Sequence, residues 1–191
     1  MAPVFLGGEP VVIESGKYRG TAILQEEQNQ GLALIESMND AQRGKAILQS
    51  EKTRNSARAQ AFRDNLTLEY AGLPASELSD ARKRELLQLI GLFVGNMEDG
   101  HARVRMADVE KHLDETFFAW IGGVTENAVF YYRIHSPVIL IEFDHQMPVG
   151  TRHLYPAQIP TRQHIHVVVR TPNGNDYGKD LLRQHLEAHP H

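Results

Sequence analysis

A chain of 191 residues with 41% hydrophobic residues and a formal charge of −4 holds enough apolar material for a single core, which excludes a disordered chain. It has no cysteine, so disulfides and thiolate ligands are excluded and any metal falls to His, Asp, Glu, Tyr or backbone oxygen. Lys and Arg are spread along the sequence rather than blocked together, which argues against a nucleic-acid partner. No apolar run approaches the roughly 18 residues that span a bilayer, so no membrane partner is expected. The opening Ala2-Pro3-Val4-Phe5-Leu6-Gly7-Gly8 has neither the basic nor the long apolar region of a signal peptide, and a cytoplasmic location is expected.

In chain order, residues 1–25 read as loops with short strands at 11–13 and 21–24. Leu32, Ile35 and Met38 recur at helical spacing and predict a helix over 26–38. Asn39-Asp40 opens a second helix with Ala46 and Ile47 inward. The polar, alanine-containing stretch 51–65 reads as helix or loop. Ser79 is the expected cap of the strongest helix, 80–94, which buries Leu86, Leu87, Ile90, Phe93 and Val94. A further helix is predicted over 101–114. The likeness of Asn39-Asp40-Ala41-Gln42-Arg43 to Ser79-Asp80-Ala81-Arg82-Lys83 is read as repeated capping chemistry, not as an internal repeat.

After Glu115 the apolar period changes from 3.6 to 2, and strands are predicted over 116–121, 129–135, 138–145 and 163–170. Gly122-Gly123 and Ser136-Pro137 supply turns, and the short connections imply an antiparallel meander. Asn175 or Asp176 is expected to cap a final helix reaching about residue 189. The expected architecture is α+β in a single domain, 1–191: helices over about 26–115, then an antiparallel sheet of about four or more strands and a closing C-terminal helix over about 116–191.

Chemistry concentrates in the last third, where eight of the ten histidines stand at or after His135. Side chains alternate across a strand, so His164, His166, Val168 and Arg170 share one face and Ile165, Val167 and Val169 the other. Two imidazoles so spaced lie about 6–7 Å apart at Cβ, close enough to converge on one ion or anion. On the preceding strand, Ile139, Ile141 and Phe143 face the core while Glu142 and Asp144 face away, and His145 falls on the core side. If the strands are neighbours, His164, His166 and one of Glu142 or Asp144 form a ligand set for a divalent zinc, iron or manganese ion. The remaining carboxylate or His185 would handle the proton, and Arg170 or a loop arginine would bind a developing oxyanion. His185 and His189 also stand four apart on the final helix. The long connection 146–163, with Arg152, His153, Tyr155 and Arg162, is expected to lie over this site. Asp176 is read as a cap, and Trp120, Tyr131 and Tyr132 as core.

The expected function is a metal-dependent hydrolase of a small carbonyl compound such as an ester or lactone. A non-haem iron oxygenase uses the same ligand set, and a non-enzymatic binding or assembly module needs no metal.

Five segments in order, Phe117-Phe118-Ala119-Trp120-Ile121-Gly122-Gly123, Phe130-Tyr131-Tyr132-Arg133-Ile134, Ile141-Glu142-Phe143-Asp144, His164-Ile165-His166 and Asn175-Asp176-Tyr177-Gly178-Lys179-Asp180, resemble an uncharacterised family known as domain of unknown function 3500. The likeness extends upstream through Phe5-Leu6-Gly7-Gly8-Glu9-Pro10 and Gly31-Leu32-Ala33-Leu34. That family supplies no activity to carry over. Its members tend to be longer, with a histidine-bearing region ahead of the Phe5–Pro10 motif. If that region completes the site, the resemblance implies that the site here is partial or is completed by another subunit, as in a homo-oligomer.

Overall fold

The computed structural model describes residues 3–59, 66–155, 158–173, 175–176 and 179–189. Seven strands form one sheet: β1 (Val4–Gly8), β2 (Ile47–Gln49), β3 (Leu73–Pro74), β4 (Phe117–Gly122), β5 (Phe130–His135), β6 (Leu140–His145) and β7 (Ile165–Arg170). Their order is β1-β7-β6-β5-β4-β2, with β3 also pairing with β4. All pairings are antiparallel except that of β2 with β4. The α+β class is as expected, but the sheet is larger than the four alternating strands alone suggest.

The helices are α1 (Gln25–Ser37), α2 (Asp40–Ala46), α3 (Asp80–Val94), α4 (Asp99–Lys111) and α5 (Lys179–Ala188). Asn39 caps α2 through a reciprocal capping box with Gln42, which satisfies the Asn39 and Gln42 amides at that end. At α3 the Ser79 side chain makes no capping bond, and at α4 the cap is Glu98, which accepts from Gly100 and His101 N–H. Near the N-terminus the two predicted strands reduce to one bridge between Val12 and Ala22, while the preceding Val4–Gly8 joins the sheet instead.

One face of the sheet carries the core. Trp120, Phe130, Tyr132 and Phe143 stack across neighbouring strands, with Tyr132 and Phe143 parallel to within 3° at 4.9 Å. Leu34, Ile35, Leu86, Leu89 and Ile90 close over them and are inaccessible to solvent or nearly so. Each such side chain stabilises the fold by about 1.5–3 kcal/mol through burial alone. Helix α1 approaches so closely that Gly31 sits directly on the Tyr132 ring, whose hydroxyl donates to the Glu27 carbonyl at 2.9 Å.

The opposite face is not open. Residues 50–59 and 66–72 cross it without forming helix or strand, as a strap. Leu66 and Leu68 pack there against Ala59, Leu140 and Val168, and Tyr70 stacks on Phe117. Of the two readings for 51–65, loop holds over the described part.

Candidate functional site

Beneath the strap the polar side chains of β5 and β6 and Arg170 of β7 are buried, while His166 is exposed, and a buried carboxylate is tolerated only when fully paired. The Glu142 oxygens accept from Arg58 N–H at 2.9 and 3.0 Å, from Ala59 N–H at 2.6 Å and from the Tyr131 hydroxyl at 2.6 Å. Asp144 accepts from Ser56 and Ala57 N–H at 2.7 and 2.9 Å, from the Gln146 amide, and from Lys52 Nζ at 2.6 Å. Four consecutive strap amides thus end on two carboxylates, which explains how 56–59 satisfies its donors without regular structure. Burial raises the Asp144 carboxyl against the attraction of Lys52, and burial lowers the Lys52 ammonium against that of Asp144. Tyr131 belongs to this network rather than to the core. Burial, then the Glu142 charge, holds its hydroxyl protonated and donating.

This placement corrects the predicted ligand set. Glu142 and Asp144 do lie on strands adjacent to the histidines, with Asp144 directly opposite His166, but their oxygens are spent on the strap. Arg170 is likewise committed: its Nε donates to the Ala59 carbonyl at 2.8 Å and its Nη1 to Asp176 at 2.7 Å. Asp176 also accepts from Thr171 N–H, so the residue read as a helix cap fastens the end of β7. His185 is exposed on α5, its ring 4.8 Å from that of His189. None of these four predicted residues borders the cavity that holds the histidine pair.

His164 and His166 do come together. His164 stands one residue before β7, yet its Nε2 lies 3.0 Å from Nε2 of His166, with the rings nearly perpendicular. The other nitrogen of His164, Nδ1, donates to the Met147 carbonyl at 2.7 Å, with Glu9 Oε2 3.4 Å away. That bond fixes the tautomer and turns a lone pair on Nε2 toward His166. Burial, followed by the neighbouring His164, lowers the His166 imidazole, with Asp144 and Glu9 pulling it back.

Glu9 was not foreseen as a site residue. It accepts from the amides of Val149, Gly150 and Thr151 and from the Thr151 hydroxyl. Burial alone would raise its carboxyl, but these donors outweigh burial and hold it at about 2. One carboxylate therefore pins the 147–151 loop and backs the histidine. A lone Glu after Gly7-Gly8 has no periodicity, and only its place in the ordered family motifs marked it. The connection expected to cover the site does pass beside His164, although Arg162 turns away to the Ala128 carbonyl and the Phe130 ring.

The pair opens on a cavity of about 560 Å³ between β1, β7 and the strap residue Ala57. Gly7 faces His166 across the β1–β7 pairing, and a Cβ there would lie 3.2 Å from the imidazole and collide with the Ile165 carbonyl. Among the described residues Glu9 is the only carboxylate on the cavity wall, and no cluster of three or more His, Asp or Glu is placed to hold a metal ion.

The chain is thus an α+β protein with a seven-stranded sheet, a strapped polar face and a backed histidine pair. A family model described as Protein of unknown function (DUF3500) matches residues 1–179, and the chain belongs to that family. No curated protein and no solved structure matches it significantly.

Proposed function

We propose that this protein is a divalent-metal-dependent hydrolase of small carbonyl compounds, with His164 and His166 as its imidazole ligands and the cavity beside β1 as its substrate site. The supporting observation is the meeting of the two Nε2 atoms at 3.0 Å, with the tautomer of His164 set from behind. Two nitrogens each about 2.1 Å from an ion lie about 3.0 Å apart at the right angle of octahedral coordination and about 3.4 Å apart in a tetrahedral site. Two imidazoles leave the remaining positions to water and a substrate oxygen, so the ion is exchangeable and belongs in the assay buffer. Held by His164 and His166, the ion would supply an acidified water and polarise a substrate carbonyl. Glu9, held near pKa 2, is too weak a base to take that proton and serves to orient His164.

A second reading is favoured by the lack of a third ligand among the described residues: the two histidines share a proton, and the cavity binds its ligand without metal. Elemental analysis of untagged protein, equilibrated with zinc, iron or manganese and then desalted, separates the two. The expected result is near-stoichiometric metal that is lost in the His164→Ala/His166→Ala double variant, together with esterase or lactonase activity on a small-ester panel. No metal in either protein would overturn the hydrolase and leave the proton-sharing pair.

A further inference from the structure

A second cavity, of about 770 Å³, opens on the other side of the strap, over β5 and the edge of β4. The strap residue Ala57 borders both cavities, so the two are separate rooms with one wall. At the floor of the second is Arg133, only 7% exposed. Its Nη2 donates to the Glu69 carbonyl at 3.2 Å, while its Nε is buried with no partner among the described residues. Glu142 stands opposite it in the β5–β6 register, but the Glu142 oxygens are taken by Arg58 N–H, Ala59 N–H and Tyr131, and none forms an ion pair with Arg133. A buried guanidinium with an idle N–H is costly to the fold unless something outside the chain completes it.

The rim repeats the preference. Arg54 and Arg58 are exposed at the mouth and form no ion pair with any described residue, and among the described residues Glu69 is the only acid lining the cavity. Leu66, Leu68 and Ile121 give the same space an apolar wall. The volume lies within the range of about 300–1,000 Å³ of small-molecule sites.

We propose that this cavity is a binding site for a small organic carboxylate, its head group held by the Arg133 guanidinium and its apolar body against Leu66, Leu68 and Ile121. A guanidinium edge offers two parallel N–H donors, which match the two oxygens of a carboxylate. The apolar wall selects an organic anion over a bare inorganic one. This site is independent of the histidine pair and stands whether or not that pair binds metal.

The test is calorimetric titration of the full chain with hexanoate, beside hexanol (body without charge) and inorganic phosphate (charge without body). Saturable millimolar binding of hexanoate, tighter than of either control, is expected. Arg133→Met should weaken it at least about tenfold, the loss of a charged hydrogen-bonded contact, without lowering thermal stability, because it removes an unsatisfied buried charge. The exposed pair Arg54→Ser/Arg58→Ser, which keeps the fold, should weaken binding severalfold, and His164→Ala/His166→Ala should leave it unchanged. Absence of saturable hexanoate binding, equal binding of hexanol or phosphate, or undiminished binding in Arg133→Met overturns the proposal. If Arg133→Met does not fold, the wild-type titrations and the rim variant decide: unchanged hexanoate affinity in the rim variant is then the overturning result.

Discussion

The two carboxylates of β6 show how far residue patterns reach. Alternation correctly puts Glu142 and Asp144 opposite the apolar face, beside the strand that bears the histidines. It cannot say what covers that face, and the strap amides that cover it are 83–88 residues upstream. Three donors, Arg58 N–H, Ala59 N–H and the Tyr131 hydroxyl, converge on the Glu142 carboxylate. Replacing it by an amide leaves one acceptor atom and turns an NH₂ group toward donors. Glu142→Gln is expected to destabilise the fold by about 3 kcal/mol, measured by urea unfolding, and hydrogen exchange should show loss of protection at the Arg58 and Ala59 amides. Retained protection at both would mean that the strap is held by its apolar contacts instead. The histidine pair, in contrast, was legible in full, because a His-x-His spacing on a strand fixes both rings on one side.

Among the elements, legibility followed periodicity. Helices α1 and α3 and strands β4 to β7 each carry enough alternating or helical apolar positions to declare themselves within a residue or two of their ends. Strand β1 did not: five residues ending in Gly7-Gly8 look like a loop, and only pairing with β7 makes them a strand. The two-residue and three-residue strands β3 and β2 are likewise products of docking against β4. The strap has no period at all. Gly31 is the element-scale feature that the helical pattern hides, since an interior helical glycine usually costs stability relative to alanine. Here the Tyr132 ring occupies the place of a Cβ, so the sign reverses. Gly31→Ala is expected to lose about 1–3 kcal/mol by overpacking, in place of the gain of up to about 1 kcal/mol that propensity alone would give. Thermal unfolding against wild type decides between those signs.

For the whole molecule, a pH dependence comes from two histidines that take no part in either cavity. His145 is sealed in the core face of β6, where Nδ1 accepts from Phe130 N–H and Nε2 meets the Gln28 amide oxygen at 2.8 Å. Burial first, then the Arg162 and Lys52 charges, lower its pKa to about 3. His135 lies under the Tyr70 ring, and burial, followed by the Arg133 charge, brings it to about 4. Both folded values are below the ordinary 6.5, so between pH 6.5 and those values the unfolded chain binds more protons than the folded one. Their stabilising effect is therefore complete above about pH 6.5 and is lost as pH falls through about 4 and then about 3. At about 1.4 kcal/mol per pH unit for each group, the two together contribute several kcal/mol, a sizeable part of a typical domain's stability. Asp144, raised by burial, works in the opposite direction and softens the fall. Urea unfolding at successive pH values between about 7 and 4 should show stability declining steadily toward acid. Gln offers an acceptor and a donor in the place of the two ring nitrogens but does not titrate, so His145→Gln should flatten that decline by about half. A variant whose acid slope matches wild type would move the pH sensitivity from the core face to the carboxylates of the loops and strap.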